Sequence, residues 1–271
     1  MILIFDSGVG GLSIAKEIRS RLPKAELHYL MDSAYFPYGI RDDAVLQQRI
    51  VQLCQLACEQ LPVKLLVVAC NTASTLALTA LRAVLPIPVV GVVPAIKPAA
   101  LHSKSGHIGL LATPATVSRS YTNGLIDNFA AHCQVSRLGT TALVELAEQW
   151  LSQPEPDESS FRQQLEQQLS PWLATQPQLD TVVLGCTHFP VLRPLLEKLW
   201  PGIHWIDSGA AIARRVEHLL LQQEHSGNGG LFLYRTGNGP VPAGLQRYWQ
   251  NGDPCCWPNA NWLLALDASN P

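Results

Sequence analysis

The sequence predicts an α/β fold built as two similar α/β halves with parallel sheets. Three observations predict it. Short apolar runs alternate with longer helical patterns along most of the 271 residues, the signature of βαβ units. Two of those runs end in related hexapeptides, VVACNT at 67–72 and VLGCTH at 183–188. The tripeptide DSG occurs twice, at 6–8 and 207–209, each time after a short apolar run.

In chain order, Ile2–Phe5 is a strand, followed by a glycine loop and an amphipathic helix over Leu12–Leu22. Glu26–Met31 is a second strand, then a polar, aromatic loop at 32–41 and a helix near 42–60. Lys64–Ala69 and Val89–Val93 are strands on either side of a helix at 73–84. The pattern resumes with the strand His107–Ala112 and helices near 114–130, 141–152 and 159–175. Strands follow at Thr181–Leu184 and His204–Ile206, with helices near 191–199 and 208–223. From 224 onward the periodicity fails. The segment is rich in Gly, Pro, Asn and Trp, with one strand at Leu231–Tyr234.

The composition excludes several classes. With 47% hydrophobic and 15% charged residues the chain is globular rather than disordered. Its net charge is -2, and no basic run exceeds Arg214-Arg215. No nucleic-acid or membrane partner is expected, because such sites concentrate positive charge. Only Ile2–Phe5 precede Asp6, too short for a signal peptide. No apolar run approaches the roughly 20 residues of a membrane span. A soluble cytoplasmic protein is expected, its seven cysteines (54, 58, 70, 133, 186, 255 and 256) reduced.

In open α/β sheets ligands sit at the carboxyl ends of strands, and Cys70 and Cys186 both stand there. Facing halves would put one cysteine on each wall of a shared cleft. Asn71 and Thr72 after Cys70 are N-cap types, and a helix N-terminus there favours a thiolate or binds a carboxylate. Cys186 has His188 two residues on. Two opposed thiols can invert a stereocentre without a cofactor, one removing a proton and the other returning one. A lone core cysteine is usually a small hydrophobe. That is the reading for Cys54 and Cys58, four apart on an apolar helix face, for Cys133, and for the pair Cys255-Cys256. The polar neighbours of Cys70 and Cys186 set those two apart. No metal is expected, since Cys186-x-His188 lacks a second ligand pair at the usual spacing.

FDSGVGGLS at 5–13 fits neither GxGxxG nor the P-loop, and its glycines fit a tight turn. Asp6, held ionised by a nearby helix N-terminus, could cap the turn, hold an ammonium group or pass protons with a thiol. YFPYGIR at 35–41 is either turn chemistry or a loop whose Tyr38-Gly39 backbone donates to a carboxylate.

FDSGVGGLS, PYGIR, VVACNTAS and LGCTHFP, in this order and spacing, resemble the motifs of the glutamate racemases of the cofactor-independent aspartate/glutamate racemase family. The resemblance extends from the first strand to about residue 235. It implies two domains related by a pseudo-twofold axis with the active site between them: residues 1–93 with 207–271, and residues 94–206. It implies that Cys70 and Cys186 are the catalytic bases, Cys70 for the α-proton of the D-enantiomer and Cys186 for the L-enantiomer. Asp6 and His188 would be their auxiliary groups. Ser7, Tyr38, Gly39, Asn71, Thr72, Thr116 and Thr187, with Asp6 and His188, would bind substrate, and Glu148 would tune the second cysteine. Thr140-Thr141 stand where the family usually has Cys-Pro, and ATPAT replaces the commoner glycine before Thr116. The family supplies D-glutamate for bacterial peptidoglycan. Some members carry an N-terminal extension tied to activation by a cell-wall precursor. This chain starts almost at its first strand, so no such control is expected.

The expected activity is therefore interconversion of L- and D-glutamate with no cofactor and a small-molecule substrate as partner, a homodimer being left open. The alternative is a racemase of another acidic amino acid such as aspartate. A decarboxylase of the superfamily replaces one cysteine, and both are present here. A binding module would leave both thiols, Asp6 and His188 unexplained. A pyridoxal enzyme needs a Schiff-base lysine, and none of the six lysines (16, 24, 64, 97, 104 and 198) sits in such a motif.

Overall fold

The computed structural model describes residues 1–220, 229–238 and 242–249, and the backbone of 255–256. The chain runs β1 (Ile2–Asp6), α1 (Leu12–Arg21), β2 (Leu27–Met31), α2 (Asp43–Gln60), β3 (Leu65–Val68), α3 (Asn71–Val84), β4 (Val89–Gly91) and α4 (Ile96–His102). It continues with β5 (His107–Ala112), α5 (Pro114–Ser118), α6 (Ser120–Phe129), β6 (Gln134–Gly139), α7 (Ala142–Ser152) and α8 (Glu158–Ala174). Then come β7 (Thr181–Leu184), α9 (Arg193–Leu199), β8 (His204–Ile206), α10 (Gly209–Leu220), β9 (Leu231–Arg235), α11 (Leu245–Trp249) and β10 (Cys255–Cys256). Short 3-10 turns cover Tyr38–Ile40 and Phe189–Leu192.

Two sheets result. One has the order β10-β9-β2-β1-β3-β4 and the other β6-β5-β7-β8. Every pairing is parallel. A parallel sheet is covered on both faces, so its central strands are apolar throughout. In β1 the alternation is visible: Ile2 and Ile4 join one core cluster, Leu3 and Phe5 another. β9 docks on the outer edge of β2 with Leu231 beside Leu27 and Arg235 beside Met31.

The strand orders β2-β1-β3-β4 and β6-β5-β7-β8 match position by position. β3 and β7 are thus equivalent strands, and Cys70 and Cys186 follow them at equivalent turns. The DSG pair is not equivalent in this sense: Asp6 ends β1, while Asp207 follows β8, the counterpart of β4. What the two copies share is local. Gly8 N donates to Asp6 Oδ1 at 2.9 Å, and Gly209 N donates to Asp207 Oδ1 at 2.6 Å.

The structure differs from expectation in four places. The helix expected near 114–130 is two helices broken at Arg119, whose ψ of 141° is extended. Hydroxyls terminate the first one: Ser118 Oγ donates to Pro114 O and Thr122 Oγ1 donates to Thr116 O at 2.6 Å. β6 was not expected, because this half-exposed edge strand spaces Val135 and Leu138 three apart, as a helix would. α4, seven residues with an internal proline, was not expected either. The segment after 224, expected to be irregular beyond one strand, also carries α11 and β10 among its described residues. Residues 221–223, 239–241 and most of the tail lie outside the described residues, as do the side chains of Cys255 and Cys256. Among the described residues, no helix is long and apolar enough to cross a membrane.

Candidate active site

The ends of β1, β3 and β7 converge on one cavity between the two sheets. Ser7, Phe36, Pro37, Tyr38, Gly39, Cys70 and Thr72 form one wall. Thr113, Thr141, Val144, Glu145, Cys186 and His188 form the other. The hollow encloses about 430 Å³, its open mouth included. Of the residues singled out in the sequence, seven line it directly: Ser7, Tyr38, Gly39, Cys70, Thr72, Cys186 and His188. Asp6 and Thr187 lie behind them, and Glu148 backs His188.

Cys70 is the N-cap residue of α3 and is 7% exposed. Burial pushes its thiol up to about 12, and the Asp6 carboxylate adds to the rise. The Ala73 N–H at the helix end and Ser7 oppose it. Ser7 Oγ lies 3.8 Å from Cys70 Sγ and donates to Asp6 Oδ1 at 3.5 Å. A chain Cys70–Ser7–Asp6 therefore leads from the cavity wall inward. Asp6 is fully buried. A helix N-terminus was expected to keep it ionised. Burial instead raises its pKa, against the charge of His188 and hydrogen bonds from Gly8 N and Thr187 Oγ1, the latter at 2.9 Å.

Cys186 is equally buried. Its Sγ stands 3.7 Å from His188 Nδ1, and His188 Nε2 stands 2.8 Å from Glu148 Oε1. Burial of His188 disfavours the imidazolium, but hydrogen bonds to Cys186 and Glu148 outweigh it and raise the pKa well above 6.5. Glu148 Oε1 also accepts from Val9 N at 2.9 Å, which ties α7 to the loop after β1. The two thiols thus differ in their backing, a carboxylate reached through a hydroxyl at Cys70 and an imidazolium–carboxylate pair at Cys186.

The three loop glycines have a reason the sequence did not show. None has positive φ; among the described residues only Gly106, Gly229 and Gly237 do. Close approach is what they permit. A Cβ on Gly8 would overlap Glu148 Oε1, and one on Gly10 would stand 2.5 Å from His188 Nδ1 and 2.7 Å from Thr187 Oγ1. On Gly11 it would stand 2.8 Å from Asp6 Cβ and from Tyr29 Oη. The tight-turn reading of FDSGVGGLS gives way to one of close packing, of Gly8 and Gly10 against the second half and of Gly11 within the first.

Tyr38 lines the cavity with its ring, while its hydroxyl donates to Asp32 Oδ2 at 2.8 Å. Asp32 also receives Arg49 Nε at 2.8 Å, Arg49 Nη2 at 2.7 Å and Thr236 Oγ1 at 2.6 Å. This buried pair anchors the 32–41 loop, and nothing in the motif hinted at it. Asn71 Oδ1 is buried with no hydrogen-bond partner, so it presents an unsatisfied acceptor beside Cys70. Thr116 lies under the second wall, its Oγ1 accepting from Thr113 Oγ1 at 3.0 Å. Thr113, Val144 and Glu145 line the cavity without having been singled out, and so does Thr141, noted in the sequence only as a departure from the family's Cys-Pro. The sign for Thr113 was available in the sequence: a threonine before Pro114 is an N-cap at a strand end. Among the described residues, no cluster of three or more His, Cys, Asp or Glu side chains is arranged to hold a metal ion.

A family model described as Asp/Glu/Hydantoin racemase matches residues 12–216. The chain belongs to the Asp/Glu/Hydantoin racemase family. Glutamate racemases of several bacteria are among its relatives. It is 54% identical over 220 residues to the glutamate racemase of Aliivibrio fischeri (strain MJ11), covering 81% of this chain and 80% of that one. It is 53% identical, over the same shares, to that of Shewanella loihica (strain ATCC BAA-1088 / PV-4). Among solved structures, Escherichia coli glutamate racemase in complex with L-glutamate and the activator UDP-MurNAc-ala superposes with a TM-score of 0.82. That match has 43% identity and covers 94% of this chain and 96% of the other. Fold and family alike place this chain among the isomerases that act on amino acids.

Proposed function

We propose that this racemase-family chain interconverts L- and D-glutamate by a cofactor-independent two-base mechanism. The observation that carries it is a pair of thiols, Cys70 and Cys186, at equivalent strand ends on opposite walls of one cavity. In the L-to-D direction the Cys186 sulfur takes the α-proton, with imidazolium His188 beside it. Cys70, a thiol at neutral pH, delivers its proton to the opposite face of the α-carbon. In the reverse direction Cys70 is the base, and Ser7 and Asp6 offer a route for its proton. Each turnover takes one proton and returns one, so no oxidant, metal or pyridoxal group is required.

The α-proton of an amino acid is very weakly acidic, so the site must stabilise the carbanion as well as supply bases. The N-terminus of α3, carrying Asn71 and Thr72, and the Tyr38-Gly39 turn supply fixed dipoles for the two carboxylates in a cavity that burial keeps largely dry. Thr187 and Thr116 complete the binding set, and Glu148 tunes Cys186 through His188. The pairing of the sheets supports two units, residues 1–93 with 207–271 and residues 94–206. The biological role that fits is supply of D-glutamate for peptidoglycan in the bacterial cytoplasm.

The test is incubation with L-glutamate in D₂O without added cofactor, following optical rotation and α-deuterium together. Loss of rotation with deuterium entering at Cα, abolished in Cys70→Ala and in Cys186→Ala, is expected. Exchange with aspartate but not glutamate would move the assignment to the shorter acid. Exchange with neither would sink the two-base reading.

A further inference from the structure

An ion pair that proton transfer does not use bridges the two walls, a few residues along the chain from the lining residues Gly39 and Thr113. Arg119 is the extended residue between α5 and α6, and its Nη2 donates to Asp43 Oδ1 at 2.8 Å. The partners come from opposite walls. Asp43 opens α2, just after the turn that carries Tyr38 and Gly39. Arg119 follows the helix that carries Thr116 and its cap Thr113. The same walls approach each other at Gly39, whose absent Cβ would stand 4.0 Å from Thr113 Cβ.

Deep in the cleft the halves are joined by buried bonds, Thr187 Oγ1 to Asp6 and Ser13 Oγ to Thr187 O. The Asp43–Arg119 bond is of another kind. The Asp43 side chain is 61% exposed, so the pair is screened by salt and weak enough to break often. Both thiols are only 7% exposed. Parting of the walls widens the way to them, and of these three bonds between the halves only Asp43–Arg119 is exposed to water.

We propose that Asp43 and Arg119 form the latch of the cleft, a positioning pair that holds the Tyr38-Gly39 turn and the Thr113–Thr116 segment closed over the thiols. Substrate enters and product leaves when the pair opens. The inference rests on this cavity being the reaction site, but not on which amino acid reacts there.

Thiol alkylation reads the opening directly. The full-length protein is treated with iodoacetamide at fixed pH, and Cys70, Cys186 and Cys133 are followed by peptide mass spectrometry. Asp43→Asn is expected to speed alkylation of Cys70 and Cys186 about two- to five-fold and to leave Cys133, outside the cavity, unchanged. Added salt should speed the unmodified protein toward the variant and leave the variant unmoved. Asp43→Asn combined with Arg119→Gln should be no faster than Asp43→Asn alone. Unchanged rates in Asp43→Asn, or equal acceleration at Cys133, would overturn the latch. A fall in KM for the amino acid with unchanged alkylation would also overturn it, making Arg119 a charge that attracts substrate. If the alkylation pattern appears while glutamate is not racemised, the substrate assignment falls and the latch stands.

Discussion

Asp6 shows how the site trades stability for chemistry. Its carboxyl is fully buried, and burial raises its pKa. A carboxyl with a folded pKa above its unfolded value costs stability when ionised. The cost is absent below the unfolded value and complete once pH exceeds the folded one. Asp6→Asn is therefore expected to lower turnover by about 10²- to 10⁴-fold while gaining stability at neutral pH. Denaturant titrations should show the gain over wild type growing as pH rises from 4 toward 7. His188 has the opposite sign. Its folded pKa lies above 6.5 through Cys186 and Glu148, against burial. The stability from its pairing is complete below 6.5 and is lost as pH rises through the folded value. Glu148→Gln should therefore destabilise the protein most at mildly acidic pH, with a difference from wild type that shrinks on the alkaline side. The same titrations check this. The enantiomers are equally stable, so any such variant must lower kcat/KM equally in both directions. The side affected shows instead in the primary deuterium isotope effect. For Glu148→Gln it should grow when L-glutamate is the substrate.

At the scale of elements, the loop from β1 to α1 and the loop at 32–41 are held by opposite devices. The first is held by missing side chains. Gly10→Ala would drive a methyl into His188 and Thr187. A fall in kcat of about 10²-fold is expected, the usual cost of a misplaced catalytic group, with a circular dichroism spectrum like that of wild type. The second is held by charge. Arg49→Ala would leave Asp32 buried without its cation and should cost about 3–5 kcal/mol in denaturant unfolding, loosening Tyr38 as a secondary effect. These devices also mark what could be read in the sequence. The apolar strands β1, β3, β5 and β7, the helices between them and the cysteines at two strand ends were legible, because each writes itself into local pattern. β6 was not, since an edge strand with one half-wet face lacks the apolar run. The partners of the site residues were not legible either. That Glu148 touches His188 from another element of the same half, or that Gly10 must stay bare to admit His188 from the other half, depends on contacts between residues distant in the chain. Asp32 was invisible for the same reason, since its partners sit on three separate elements.

For the whole molecule, both thiols line one cavity and belong to one chain. Mixing inactive Cys70→Ala with inactive Cys186→Ala should restore no racemisation at any protein concentration, whatever the assembly state. A rise in activity on mixing would mean that walls are shared between copies. The two halves also differ in how the chain closes them. β5 to β8 are contiguous, whereas the first sheet takes β9 from far along the chain to cover the edge of β2. On the ribosome, the second half can complete its sheet while the first still waits for its last strands. Until Leu231–Arg235 emerge, the nascent chain carries β2 with a bare row of peptide groups, an open template for a neighbouring polypeptide. The vulnerable interval of this protein's life then runs from the emergence of β2 to that of β9, and a shield for one strand during that interval is what a chaperone would have to supply.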